Sequence, residues 1–318
     1  MHNQLILEIK IKLELSIPQG SLLLLGMKED EKKPTTPVKS GGQFYIPGSS
    51  LKGTFRNQAE FIATHISQDK CCCHIFDKIN NDPNPSCSER IKSLKKVKLH
   101  FSEDEIDKMN DQICPSCLLF GHAFHKGIIG FNDFIAVDGT TSEIHRPGLA
   151  IDRVVGCVAQ DPKNHKGKTF RTHYLSEGIF CGNITITNFS FWQLGWLGLI
   201  LKDLDDGFFG VGHNQNLNIG RLNIKNASAI IRNYKKPKNK NNIEDYLGQF
   251  NNSEDGFSIT TESHWKKIGF YHEVYVENKN HLFQIFQQCC EKTTDYFKFK
   301  NQDTLLPIVI NNIDLVKD

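Results

Sequence analysis

The sequence predicts an α+β fold whose elements follow the ferredoxin-like, or RRM-like, order of strand, helix, strand, strand, helix, strand. Three stretches predict it. Residues 4–17 (QLILEIKIKLELSI) alternate apolar with polar, a helical apolar period opens after Pro47-Gly48, and residues 179–232 run strand, apolar helix, glycine-rich loop, strand.

In the first stretch Leu5, Leu7, Ile9, Ile11, Leu13, Leu15 and Ile17 share one face, and Glu8, Lys10, Lys12 and Glu14 the other, the pattern of a half-buried strand. Residues 18–43 pass through LLLLG into a polar run with Pro34, Pro37, Gly41 and Gly42, predicting a flexible functional loop. In IPGSSLKGTFR (Ile46–Arg56), Ser49 or Ser50 serves as N-cap, and Leu51, Phe55, Ala59 and Ile62 recur on one face of a helix running to about Ser67. A helix start is a latent phosphate site, because its free N–H groups and positive dipole end face outward. Lys52 and Arg56, four residues apart, add two cations to one side, so Ser49, Ser50, Lys52 and Arg56 are candidate phosphate contacts.

With this helix the first half of the fold spans 1–67. Residues 68–122 lack an apolar period and form a cysteine-rich insertion, and 123–138 return to a strand pattern. Residues 139–178 are polar and suit a projecting hairpin. The second half of the fold spans 179–232, with a strand at Ile179–Asn188, a helix at Phe191–Leu204 and a strand at Ile219–Arg232. Residues 233–318 are a linker and C-terminal extension, with a helix at His281–Glu291 and no assignable role.

The 318 residues are 39% apolar and 23% charged, the composition of a soluble globular protein, and no apolar run reaches the ~18 residues of a membrane span. The N-terminus lacks a signal-peptide layout, so a cytoplasmic protein without membrane contact is expected. Net charge is only +2, and a nucleic-acid role needs local basic patches such as Arg90–Lys98 and Lys235–Lys240. Ten cysteines, three of them consecutive, point to metal ligation or buried thiols rather than a disulfide framework.

The tightest metal spacing is Cys114-Pro-Ser-Cys117, which offers two ligands from one turn. A second pair comes from Cys71, Cys72, Cys73, His74 and Cys87, with Cys87 and either Cys73 or His74 preferred. The expected set is Cys73, Cys87, Cys114 and Cys117 around a structural zinc that gives the polar insertion its shape. Buried free cysteines around a reactive CxxC are the alternative. Two further stretches suit anions. HRPGLAIDRVVG (His145–Gly156) offers His145, Arg146 and Arg153, with Asp152 able to hold Arg153, and GVGHNQNLNIGRL (Gly210–Leu222) offers Gly212, Gly220 and Arg221.

IPGSSLKGTFR resembles the IPGSSLKGxxR signature of the RAMP superfamily, the RNA-binding subunits of CRISPR effector complexes, and in particular the repeated backbone subunit of type III complexes. CPSCLLFG resembles that subunit's CxxCxLFG, and AIDRVVG its IDRxTG, with Val155 in place of threonine. The loop ending in Gly220-Arg221 is similar to GGxKSRGFGRV, but Gln215 and Leu217 stand where cations are usual and Asn218 replaces a glycine. The resemblance implies an RRM-like palm with a long thumb hairpin. It also implies binding to CRISPR RNA through backbone contacts, with complementary target RNA and other RAMP subunits as partners. Target-cleaving members carry an acidic residue before the signature. Thr35 stands there here, which favours a structural subunit without cleavage; Asp30, with magnesium, is the candidate if the chain is an endoribonuclease. A processing endoribonuclease with His213 as base ranks last.

Overall fold

The computed structural model describes residues 7–25, 36–67, 71–73, 86–97, 113–160, 167, 169–234, 242–244, 258–260 and 265–300. Strand β1 (Leu7–Ser16) keeps the predicted alternation, with Leu7, Ile9, Ile11, Leu13 and Leu15 at most 3% exposed. It lies at the centre of the sheet. Antiparallel partners flank it: β10 (Ile179–Thr187), which pairs Ile184 with Ile11, and β11 (Asn223–Asn233), which pairs Ala229 with Ile11. On the far side of β10 run β6 (Ile129–Phe131) and β7 (Phe134–Ala136), one predicted strand broken at Asn132-Asp133.

Counting β6 and β7 as one, the four central strands stand in the order fourth, first, third, second of the chain. Helix α1 (Gly48–Ser67) connects the first to the second. It buries Leu51, Phe55, Ala59, Ala63 and Ser67, a stripe four residues apart, so Ala63 takes the place expected of Ile62. The loop expected over 18–43 contains structure. β2 (Lys39–Ser40) and β3 (Gln43–Ile46) form a hairpin that joins β7 through Tyr45 opposite Ile135. Its two-residue turn, Gly41-Gly42, has φ of 57° and 85°, which two glycines adopt without strain.

The insertion contains α2 (Cys87–Val97), α3 (Pro115–Phe120) and a small hairpin of β4 (Gly121–His122) and β5 (His125–Lys126). The projecting hairpin is β8 (Ser142–Leu149) paired with β9 (Thr169–Glu177), a two-stranded sheet of its own. Helix α4 (Phe191–Asp205) starts with a capping box of Ser190 and Gln193. β11 then begins four residues later than predicted, because Ile219–Leu222 are held in the preceding loop.

The C-terminal extension, which the sequence left without a role, contributes to the fold. β14 (Lys266–Ile268) and β15 (Tyr271–Val276) continue the sheet beyond β11, and α5 (Lys279–Lys300), longer than the predicted 281–291, lies against α4. Gly195 and Gly198 make that contact close. A Cβ on either would sit 2.4 Å from the Cys289 carbonyl oxygen or 2.3 Å from the Phe286 Cβ. Trp192 stacks on Tyr296 at 3.7 Å, and α1, α4, α5 and the sheet share one apolar core. A separate pair, β12 (Asn242–Glu244) and β13 (Ser258–Thr260), completes the described strands.

Candidate nucleic-acid interface and metal centre

Three segments far apart in sequence meet at one end of the sheet. The apolar run after β1 is anchored there, because Leu23 and Leu175 exchange backbone hydrogen bonds of 2.8 and 3.0 Å, tying it to β9. The glycine-rich loop lies on its other edge. His213 N donates to the Leu24 carbonyl at 2.8 Å, and Gly220 N to that of Leu22. Leu22, Leu24, Tyr174 and Ile219 bury one another beneath this junction.

The glycines expected to cradle an anion serve this packing. Gly212 and Gly220 have φ of 92° and 90°, and a Cβ would fall 2.2 Å from the Leu24 carbonyl oxygen in the first and 2.0 Å from that of Val211 in the second. Above the junction lies a cleft of about 590 Å³ lined by Gln19–Leu22, Arg146–Leu149, Tyr174, Leu217–Ile219 and Arg221. Its lining holds two arginines and no carboxylate. Arg146 is exposed, while Arg221 is oriented by Asn218 Oδ1, which accepts from Nε at 2.9 Å and Nη2 at 2.6 Å. Asn218, a departure from the resembled pattern, is thus the residue that aims the arginine.

On the hairpin, the exposed His145 ring meets His173 edge-on at 3.9 Å, and His173 Nδ1 lies 3.3 Å from Glu143. Asp152 does not pair with Arg153. Its Oδ1 accepts from the backbone of Val155 and Val154 at 3.1 and 2.8 Å, holding the carboxyl below its usual range and fixing the turn closed by the Ile151–Val158 bridge. Arg153 is exposed there and does not line the cleft. Arg171, opposite Pro147 on β9, is a further exposed cation that the sequence reading missed; its alternation with His173 was the available signal.

The start of α1 lies elsewhere, beside the break between β6 and β7. The helix begins at Gly48, whose N–H donates to Asp133 Oδ1 at 2.8 Å, so Ser49 and Ser50 occupy the first turn and Asp133 does the capping. Ser49 is exposed and Ser50 half-buried. Lys52 is half-buried, has no carboxylate partner among the described residues, and has its pKa lowered by burial and then by the charge of Arg56. Arg56 turns inward instead. Its Nε donates to Glu60 at 2.9 Å, Nη1 to the Gly121 carbonyl at 2.9 Å and Nη2 to Cys117 Sγ at 3.2 Å. That geometry replaces the expected phosphate contact.

Cys73, Cys87, Cys114 and Cys117 come together beneath α1 with all four sulfurs within 4.8 Å of one another and no residue more than 3% exposed. Cys73 Sγ lies 3.6 Å from both Cys114 Sγ and Cys117 Sγ. A tetrahedron of thiolates about 2.3 Å from zinc has sulfurs roughly 3.8 Å apart, so the donor set fits a closed site for a divalent ion such as zinc. Cys71 and Cys72, 3.8 Å apart at sulfur, stand outside the group, and His74 lies outside the described residues. Asp30 and Thr35 also lie outside them, as do Lys98 and Lys235–Lys240 of the basic patches. Within the first patch Arg90 is buried and Lys92 pairs with Glu89 at 3.4 Å. No helix among the described residues is long and apolar enough to cross a membrane.

The comparison with curated proteins returned no match. The model of the RAMP superfamily matches residues 23–223, from the Leu23 anchor to the first residue of β11, and so takes in the signature helix, the four-cysteine group, the hairpin and the glycine-rich loop. That span is well over half of the 318 residues, and the chain belongs to the RAMP superfamily of CRISPR-associated proteins.

Proposed function

We propose that this chain is a guide-RNA-binding structural subunit of a type III-like CRISPR effector complex. In this reading the antiparallel sheet and its helices are a ferredoxin-like palm, the hairpin within 139–178 is the thumb, and the cysteine-rich insertion over 68–122 is shaped by structural zinc. The observation that carries it is the cleft, where Arg146 and Arg221 line the walls with no carboxylate, beside Gln19, Ser21 and Asn218 and the apolar Leu22, Leu149 and Leu217. Such a surface attracts phosphate and carries little information about base identity. That is what a protein accepting any guide sequence requires.

Ser49, Ser50 and Lys52 add a second phosphate contact at the start of α1, and His145 and Arg153 extend the track along the thumb. Neighbouring RAMP subunits and complementary target RNA are the partners this placement implies. The test is to isolate the protein from cells expressing a CRISPR array and sequence the RNA it retains. Fragments with repeat-derived ends and spacers of unrelated sequence are expected. Absence of bound RNA, or enrichment of one sequence motif within the spacer portion, contradicts the proposal.

A further inference from the structure

Arg90 is 8% exposed, yet no carboxylate among the described residues pairs with it. A buried guanidinium without a counter-charge is costly, and an anion beside it offsets that cost. The group beside it is a cysteine sulfur: Arg90 Nη2 donates to Cys87 Sγ at 3.2 Å. Arg56 does the same at a second cysteine, with Nη2 at 3.2 Å from Cys117 Sγ.

Four thiolates around a divalent ion leave two surplus negative charges in a buried site. Arg90 supplies one full counter-charge, and Arg56, shared with Glu60, supplies part of another. We infer that Arg56 and Arg90 are positioning residues of the metal centre, each donating an N–H to one chosen thiolate, Cys117 and Cys87 respectively. Cys73 and Cys114 receive no guanidinium among the described residues. The inference rests on the metal reading and adds an unequal set of sulfurs to it.

A consequence links the two candidate sites. Arg56 and Glu60 lie one turn apart on α1, and both hold the CPSC turn, since Ser116 Oγ donates to Glu60 at 2.6 Å. The helix that carries Ser49, Ser50 and Lys52 is therefore bolted to the metal knuckle through its own arginine.

An N–H donated to a metal-bound thiolate withdraws electron density and slows its alkylation. The test treats the zinc-loaded full chain with limiting N-ethylmaleimide and maps modified cysteines by mass spectrometry, beside zinc affinity measured by chelator competition. In R90M, Cys87 should become the fastest-reacting ligand and zinc affinity should fall ~10- to 100-fold, with R90K between it and the native chain. In R56M the accelerated residue should be Cys117, which keeps the inference testable if R90M does not fold. Native affinity with an unchanged alkylation order, or equal acceleration at all four cysteines, overturns it. A native chain that retains no zinc overturns the metal reading as well.

Discussion

Replacing Cys117 by serine is expected to strip the metal and unfold the insertion. The serine hydroxyl is not a thiolate, so only three ligands would remain of four sulfurs lying within 4.8 Å. Binding free energy at a structural zinc is folding free energy, on the order of 10–16 kcal/mol in zinc-finger peptides, and even a fraction of that exceeds what the small apolar group of Ile91, Ile113 and Leu118 supplies. The damage spreads through Arg56, which loses its sulfur acceptor at 3.2 Å and with it part of the grip on Gly121. We expect metal content near one per chain in the native protein and near zero in Cys117→Ser, with Tm lowered by more than ~5 °C, equivalent to a few kcal/mol. Cys181→Ser, an exposed position on the sheet, should change neither. Elemental analysis and thermal unfolding decide it.

The second large effect is expected at Trp196, where α1, α4 and the C-terminal helix meet. The indole is fully buried, donates from Nε1 to the Ala59 carbonyl of α1 at 3.2 Å, and meets Phe297 of α5 edge-to-face at 5.0 Å. Trp196→Ala removes the bond, the ring contact and the volume together, and should cost ~3–5 kcal/mol by urea unfolding. Phe297→Ala, from the stretch that composition left without a role, should cost ~3 kcal/mol or more for the same reason. A Phe297 variant with native stability would mean that the extension is a peripheral addition.

The parts of the fold legible in the sequence are those where local pattern and tertiary role agree. β1 alternates because one face meets the helices and the other does not, and α1 ends at Ser67 as its apolar period does. The hairpin β2–β3 was missed although Gly41-Gly42 announced it, because strands of two and four residues carry too little alternation to stand out from a polar loop. The tail's helix was legible at His281–Glu291, but its place in the core was not, for a different reason. α5 owes its place to Gly195 and Gly198 on another helix, and no single-sequence signal couples residues that far apart.

The candidate sites divide in the same way. Four cysteines spread over 45 residues were legible because cysteine alone supplies a thiolate and the CPSC spacing sets two of them in one turn. Arg56 was misassigned because periodicity puts it on the same side of the helix as Lys52, while the Gly121 carbonyl and Cys117 draw it inward. Nor does LLLLG reveal from its sequence that it joins the hairpin to the glycine-rich loop, since that role lies in backbone bonds at Leu22, Leu23 and Leu24.

The proposal that RNA lies across the Arg146–Arg221 cleft is tested most directly by the salt dependence of binding. Affinity for single-stranded RNA of arbitrary sequence should fall as salt rises, and the slope of log K against log salt counts the phosphates engaged. The double variant R146A/R221A should lose affinity for unrelated RNAs to a similar extent and reduce that slope by about 1.4, roughly 0.7 per phosphate contact on a single strand. A variant that keeps the native slope and affinity would contradict the account.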